Sequence, residues 1–130
     1  MTTPTLGTKG AALDLLVRQG ATLGPNSTLL KDGTGAAMDL TGCTLSAQIR
    51  RSPSSSTVDA TATFTITNAV LGAFDWEFPA TETAMLSCDA VDETLPESQY
   101  VWDMELLYAS GRVVPLLYGA VSVFREVTKA

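Results

Sequence analysis

The chain of 130 residues contains no histidine, and this absence excludes several catalytic designs. A Ser-His-Asp triad, a Cys-His pair and a zinc site with histidine ligands all need an imidazole. Cysteine is scarce as well, since Cys43 and Cys88 are the only two and neither belongs to a Cys-x-x-Cys motif. Small secreted domains that depend on disulfides usually carry more cysteines, so we expect two reduced thiols, although the sequence leaves one bridge between them open.

Basic residues are also few. The chain has 8 Lys and Arg against 14 Asp and Glu, which gives a formal net charge of −6. The basic residues are scattered, and Arg50 and Arg51 are the only adjacent pair. Binding to a phosphate backbone needs clustered Lys and Arg, so we expect no nucleic-acid partner.

Long apolar runs are missing. No stretch approaches the roughly 18–20 apolar residues of a membrane helix, and the N-terminal sequence MTTPTLGTKG lacks the basic start and apolar core of a secretory signal. We therefore expect synthesis in a cytoplasm and no membrane partner.

The composition that remains is that of a globular protein, with 45% hydrophobic and 17% charged residues. A chain of this length fits one domain with a core of its own. The first ten residues are small and polar, with Pro4, Gly7 and Gly10 among them. We predict a flexible N-terminal arm over residues 1–10 and a single β-sandwich domain over residues 11–130.

Residues 100–128 give the strongest structural signal. Bulky side chains alternate with smaller or charged ones, and period-2 alternation places them on one face of a strand. The inward set is predicted to be Tyr100, Trp102, Met104, Leu106 and Tyr108. Asp103 and Glu105 are predicted to point the other way, and the run is expected to break at Ser110-Gly111 and at Gly119.

Shorter alternating segments cover residues 13–17, 44–50, 57–67 and 74–78. Residues 24–26 indicate a turn or bulge, and residues 81–86 a single helical turn with Thr81 as its cap. About eight or nine short strands with one helical turn predict an all-β fold, an antiparallel Ig-like β-sandwich, with a closed barrel as the alternative.

Paired carboxylates are candidate catalysts, because two acids can hydrolyse glycosides without histidine. Asp75 and Glu77 form one pair, and Asp103 and Glu105 another, but each pair alternates with aromatic residues expected in the core. The acids should therefore face solvent, and we predict no enzyme activity, no cofactor and no small-molecule substrate.

Acidic residues also raise the question of a metal. A loose cation site at Asp89, Asp92 and Glu93 stays open, but a solvated acidic loop is favoured over it. We predict no metal site.

Three motifs in order resemble a known family. The first is DLTG at residues 39–42 with AQIR at 47–50. The second is GAF at 72–74 with the segment 81–86. The third is YVWDME at 100–105, followed by SGRV at 110–113, LYG at 117–119 and VT at 127–128. In this order they resemble the Ig-like β-sandwich of baseplate upper proteins and tail-fibre attachment domains of tailed bacteriophages. The resemblance covers residues 13–128.

The resemblance implies a structural virion protein that is made in the host cytoplasm. It would be a tail or baseplate component that links tail parts or anchors tail fibres, present in multiple copies, with other tail, baseplate or fibre proteins as partners. Baseplate upper proteins usually continue into a helical or fibrous region, whereas this sequence stops at Ala130, so an adaptor role is expected. The alternatives are a small carbohydrate-binding module for host recognition, which needs exposed aromatic residues, and a head-decoration or head–tail completion protein.

Contact residues are expected on the arm and on loops at the ends of the sandwich, since loops commonly carry binding. The loops are those around Pro25, at residues 51–56 and at residues 89–97. The predicted interface residues are Thr2, Thr3, Pro4, Thr5, Leu6, Pro25, Arg51, Ser54, Asp92 and Glu93.

Overall fold

Two β-sheets pack against each other around a shared hydrophobic core. A computed structural model describes residues 10–88 and 97–125, with the backbone alone at residues 97–99. The described elements are β1 (Ala11–Ala12), β2 (Leu15–Arg18), β3 (Leu23–Leu29), β4 (Thr44–Arg50), β5 (Ala60–Thr61), β6 (Thr63–Asn68), β7 (Ala73–Phe78), α1 (Ala80–Thr83), β8 (Glu97–Leu107) and β9 (Val113–Phe124). The predicted all-β sandwich with one helical turn is confirmed.

The strand order is that of an immunoglobulin-like sandwich. The larger sheet runs β1-β9-β8-β4-β5, with β2 also on β9, and the smaller runs β3-β7-β6. When β1 and β2 are counted together as the interrupted first strand A, the strands β3, β7 and β6 correspond to B, E and D of the immunoglobulin fold. The strands β4, β8 and β9 correspond to C, F and G. Every strand pair in the described residues is antiparallel except those of β1 and β2, which run parallel to β9.

Alternation along β7 and β8 builds the centre of the core, as predicted. Phe74, Trp76 and Phe78 are buried on β7. On β8 the buried residues are Tyr100, Trp102, Met104 and Leu106. The hydroxyl oxygen of Tyr100 accepts a hydrogen bond from the backbone N–H of Ser87 at 2.8 Å, which resembles the tyrosine corner of immunoglobulin domains.

The break predicted at Gly119 is wrong, because β9 spans 12 residues without interruption and includes Gly119. The register of β8 on β9 shifts between Met104 and Glu105, and this bulge turns both Leu116 and Leu117 into the core. Gly119 has a different role: a Cβ there would lie 2.2 Å from the carbonyl oxygen of Leu13. The glycine therefore gives the segment between β1 and β2 room to lie against β9.

The alternation over residues 57–67 is divided between the sheets, with β5 in the larger and β6 in the smaller. Ala60 and Ala62 are buried as predicted, but Ile66 is 40% exposed because β6 lies at a sheet edge. The helical turn begins earlier than predicted, after Pro79 at the N-cap, so Thr81 is not its cap. In the described part of the chain no helix is long and apolar enough to cross a membrane.

Candidate interaction surfaces

The outer face of the larger sheet carries a concave groove with a volume of about 860 Å³. Its floor is made by outward side chains of β4, β8 and β9, because alternation sends their neighbours into the core. Asp14 bounds it on the β9 side and Pro53, in the loop after β4, on the other side. The floor residues with polar side chains are Ser46, Gln48, Arg50, Asp103, Glu105 and Tyr118.

These side chains form rows across the three strands. Gln48 lies opposite Asp103, and Asp103 lies opposite Tyr118 on the next strand. Ser46 is likewise opposite Glu105. Directly opposed residues on one face of a sheet have Cβ atoms about 4.5–5.5 Å apart, so each row is a set of neighbouring side chains. The groove therefore combines hydrogen-bonding groups and charges on a rigid three-strand floor.

Arg50 is held at one end of the groove by two hydrogen bonds. One guanidinium nitrogen donates to the backbone carbonyl of Ser55 at 2.6 Å, and the other donates to the side-chain carbonyl of Gln48 at 2.9 Å. The first bond ties the loop at residues 51–56 to the sheet. The two hydrogen bonds thereby hold the guanidinium in place.

Two carboxyl groups of the groove have raised pKa values. Burial raises the pKa of Asp103, while the positive charge of Arg50 acts in the opposite direction. Burial also raises the pKa of Glu105, and the negative charge of Asp103 raises it further. Both acids are thus more costly to ionise than ordinary surface carboxyl groups, and a cation brought into the groove would relieve that cost.

Asp14 provides the third carboxylate of the groove, and it also has a structural role. Its side-chain oxygen accepts a hydrogen bond from the backbone N–H of Ala120 at 2.9 Å, in the gap between β1 and β2. With three carboxylates and one guanidinium lining it, the groove favours a partner that presents positive charge. Among the described residues no group of three or more Cys, Asp or Glu side chains could hold a metal ion.

The residues predicted as contacts fall into two groups. Pro25, Arg51 and Ser54 are described and exposed. The predicted loop around Pro25 is wrong, because Pro25 lies within β3 at a register irregularity. The Arg51 guanidinium lies over the ring of Tyr100, 4.4 Å from its centroid. The other predicted contacts lie outside the described residues: Thr2, Thr3, Pro4, Thr5, Leu6, Asp92 and Glu93.

None of the three described contact residues lines the groove, although Arg51 and Ser54 directly follow its lining residues Arg50 and Pro53. Pro25 instead lies beside Thr63 and Asp75 in a shallow depression on the outer face of the smaller sheet. The candidate cation site at Asp89, Asp92 and Glu93 is outside the described residues. The two cysteines are not bonded to each other, and Cys88 is buried.

No protein-family model and no curated protein sequence matches this chain.

Sequence reasoning located the acids of the groove but not the groove itself. Asp103 and Glu105 were predicted to face outward, and they do, with Asp103 exposed and Glu105 half-buried. Their partners Gln48 and Arg50 are also outward residues of an alternating segment. What the sequence did not reveal is that β4 and β8 are neighbours in register, because strand pairing depends on tertiary packing rather than on local periodicity.

Proposed function

We propose that this protein is a structural virion component of a tailed bacteriophage, an adaptor that joins tail or baseplate parts, or anchors fibres, by protein–protein contacts. The virion assignment is supported by the three motifs that resemble a phage virion domain. A binding role is supported by the groove, in which fixed polar groups lie on a rigid sheet. Partners would be other tail, baseplate or fibre proteins, and the chain would act in several copies.

The observation that carries the binding role is the arrangement of charges in the groove. Partial burial raises the pKa of Asp103 and of Glu105, and Arg50 is already hydrogen-bonded to Ser55 and Gln48. A partner segment with Lys or Arg would gain charge-assisted hydrogen bonds there. The groove would thus select a basic, polar surface on a neighbouring virion protein.

Deletion of the gene in the phage that encodes this chain tests the proposal. We expect particles that lack tail fibres or a complete baseplate in electron micrographs, with normal heads and packaged DNA. Complementation with the intact gene should restore them. Morphologically complete and infectious particles from the deletion would contradict the proposal.

Charge reversal tests the groove separately. The double variant Asp103→Lys, Glu105→Lys should complement the deletion poorly, because its charge would repel a basic partner. The matched control is Asp75→Lys, Glu77→Lys, which places the same charges at the same spacing on the outer face of the smaller sheet. Near-ultraviolet circular dichroism should first show that both variants are folded alike. We then expect the control to complement the deletion normally. Equal complementation by the two variants would contradict docking in the groove.

The carbohydrate-binding alternative loses its two tryptophan candidates. Sugar-binding surfaces use exposed aromatic rings, whereas Trp76 and Trp102 are 2% and 3% exposed. Neither ring can stack on a sugar without unfolding the core. A head-decoration role stays within the same structural class, and the deletion experiment distinguishes it because it predicts defective heads and normal tails.

A further inference from the structure

One sheet edge is open, whereas the other described edges are interrupted or covered. An edge strand exposes unpaired N–H and C=O groups, and proteins usually protect it with short strands, proline, bulges or charge. The edge at β3 has a register irregularity next to Pro25. The edge at β5 is two residues long, and the carboxylate of Glu82 accepts a hydrogen bond from Thr61 N–H at 2.8 Å. The third edge, formed by β1 and β2, is broken between them.

The edge at β6 has none of these protections along most of its length. Its six residues, TFTITN, include no proline and no charged side chain. The strand is rich in Thr, Phe and Ile, residue types that favour β-strands. A register irregularity occurs after Ile66, at its C-terminal end. The first four residues therefore form a regular strand whose outer side no described residue pairs with.

The backbone pairing shows which groups face the open side. The N–H of Leu30 donates to the carbonyl of Gly72 at 2.9 Å, next to the cross-strand pair Leu29 and Ala73. Because hydrogen-bonded and non-hydrogen-bonded pairs alternate in antiparallel sheets, even-numbered residues of β7 bond toward β3 and odd-numbered residues toward β6. Thr65 lies opposite the odd-numbered Asp75, so the backbone N–H and C=O of Thr65 point toward β7.

The backbone groups of Phe64 and Ile66 consequently point away from the sheet. Their side chains also lie at the open rim: Phe64 is half-buried against Phe74, with ring centroids 6.1 Å apart, and Ile66 is 40% exposed. Two apolar side chains on the core-facing side are thus incompletely covered. A strand added at this edge would satisfy four backbone groups and cover both side chains at once.

The order of residues along β6 indicates what that strand is. The segment Thr63 to Thr67 reads Thr-Phe-Thr-Ile-Thr, which is nearly the same in both directions. We propose that β6 pairs antiparallel with β6 of a second copy of this chain, about a two-fold axis at Thr65. This register places Phe64 opposite Ile66 of the other copy, and Thr63 opposite Thr67.

These pairs are favourable in antiparallel sheets, where aromatic residues oppose β-branched ones and Thr opposes Thr. The register also matches the direction of the backbone groups. The outward N–H and C=O groups of Phe64 and Ile66 would form the hydrogen-bonded pairs on either side of Thr65. An uncharged edge suits two copies that each carry a net charge of −6. A few residues of strand bury less than the roughly 1,200 Å² of a standard interface, so the pairing should be weak in solution and stronger when copies are held together in an assembly.

Site-directed cross-linking of the full chain tests the register. Thr65 would form a non-hydrogen-bonded pair with itself, with Cα atoms about 4.5 Å apart, which is within disulfide reach. In a Cys43→Ser background, Thr65→Cys should therefore form a covalent dimer under mild oxidation. The matched control is Thr63→Cys, whose two copies would lie about 13 Å apart, four residues along the strand. We expect the Thr65 variant to cross-link at least about tenfold faster, because the control thiols are beyond bonding distance.

Sedimentation equilibrium provides the second measurement. Thr65→Lys places like charges directly opposite each other across the axis and should weaken dimerisation about fivefold, whereas Thr63→Lys, which faces Thr67, should change it less. Both side chains are exposed, so the fold should persist in each variant. Equal cross-linking at positions 65 and 63, or a dimer that Thr65→Lys leaves unchanged, would overturn the proposal. So would a chain that stays monomeric up to millimolar concentration and forms no cross-link.

Discussion

The indole rings of Trp76 and Trp102 stack across the two sheets, with centroids 5.4 Å apart and planes inclined by 20°. Each ring is fixed by its N–H, which donates to the Thr28 hydroxyl at 3.1 Å in one case and to the Leu13 carbonyl at 2.7 Å in the other. Trp102 stands two residues after Tyr100, where antibody domains carry a cysteine of the inter-sheet disulfide. The tryptophan pair therefore joins the sheets in this protein.

Removal of one ring should be severely destabilising. Trp102→Ala leaves a cavity between the sheets and removes the bond to Leu13, and we expect a loss of about 3–5 kcal/mol in the free energy of unfolding. Urea denaturation followed by circular dichroism measures the loss. Trp102→Phe keeps part of the volume and should lose less. An alanine variant within about 1 kcal/mol of the wild type would contradict the role of the pair.

Gly119 should be intolerant of even one added carbon. A Cβ would lie 2.2 Å from the Leu13 carbonyl oxygen, so Gly119→Ala must displace the segment between β1 and β2, at a cost of about 1–3 kcal/mol. Gly33→Ala is the control, because a Cβ there meets nothing within 4 Å. Thermal unfolding of both variants should show a lowered midpoint for position 119 alone. Equal midpoints would show that the backbone at Leu13 does not lie close to Gly119.

Tyr100 should contribute through its hydroxyl as well as its ring. Tyr100→Phe leaves the N–H of Ser87 without its 2.8 Å acceptor, and we expect a loss of about 1–2 kcal/mol. Tyr108→Phe, at a half-buried position directly after β8, is the matched control and should lose less. Chemical denaturation of the two variants compares them. A Tyr100→Phe variant as stable as the control would argue against a tyrosine corner.

The groove acids should make stability depend on pH with a defined sign. The pKa of Glu105 is raised above its ordinary 4.5 in the folded state, so the native protein holds this proton to higher pH than the unfolded chain. Its contribution to stability is present below the unfolded pKa and falls as pH rises through a window from about 4.5 upward. Glu105→Gln should flatten this slope and leave stability at neutral pH equal or slightly higher.

Urea midpoints measured from below pH 3.8, the ordinary pKa of Asp, up to about pH 7 cover this slope and that of the control. Asp39 is the control of opposite sign, because hydrogen bonds from Thr41 lower the pKa of its carboxyl group. The ionised Asp39 stabilises the fold at neutral pH, and this contribution is lost as pH falls below about 3.8. Asp39→Asn should therefore lower the stability at neutral pH, and the difference from the wild type should shrink as pH falls. A Glu105→Gln variant that loses stability at neutral pH would contradict the desolvation of this acid.

Much of the fold could be predicted from local alternation. Phe74, Trp76 and Phe78 on one strand, and the inward set that begins at Tyr100 on another, were assigned to the core because period-2 patterns specify a face. The same rule placed Asp103 and Glu105 outward. These predictions succeeded where a strand is regular and one of its faces is buried.

The failures have tertiary causes. Leu116 and Leu117 are both buried because a bulge changes the register of β9, and no local pattern identifies that bulge. Ile66 has the right phase for the core but lies at an edge, so its neighbours do not cover it. The groove forms because β4 lies beside β8, and these two strands are far apart in the sequence, so local patterns do not show that they pair. Local patterns determine faces, whereas edges and grooves depend on which strands become neighbours.

Quantitative mass spectrometry of purified particles, from the phage that encodes this chain, tests the proposed virion role most directly. The account predicts that the chain co-purifies with intact particles at a fixed copy number, remains with isolated tails, and cross-links near Asp103 to a basic segment of a tail, baseplate or fibre protein. A chain that is absent from particles and is found free in the lysate would contradict it.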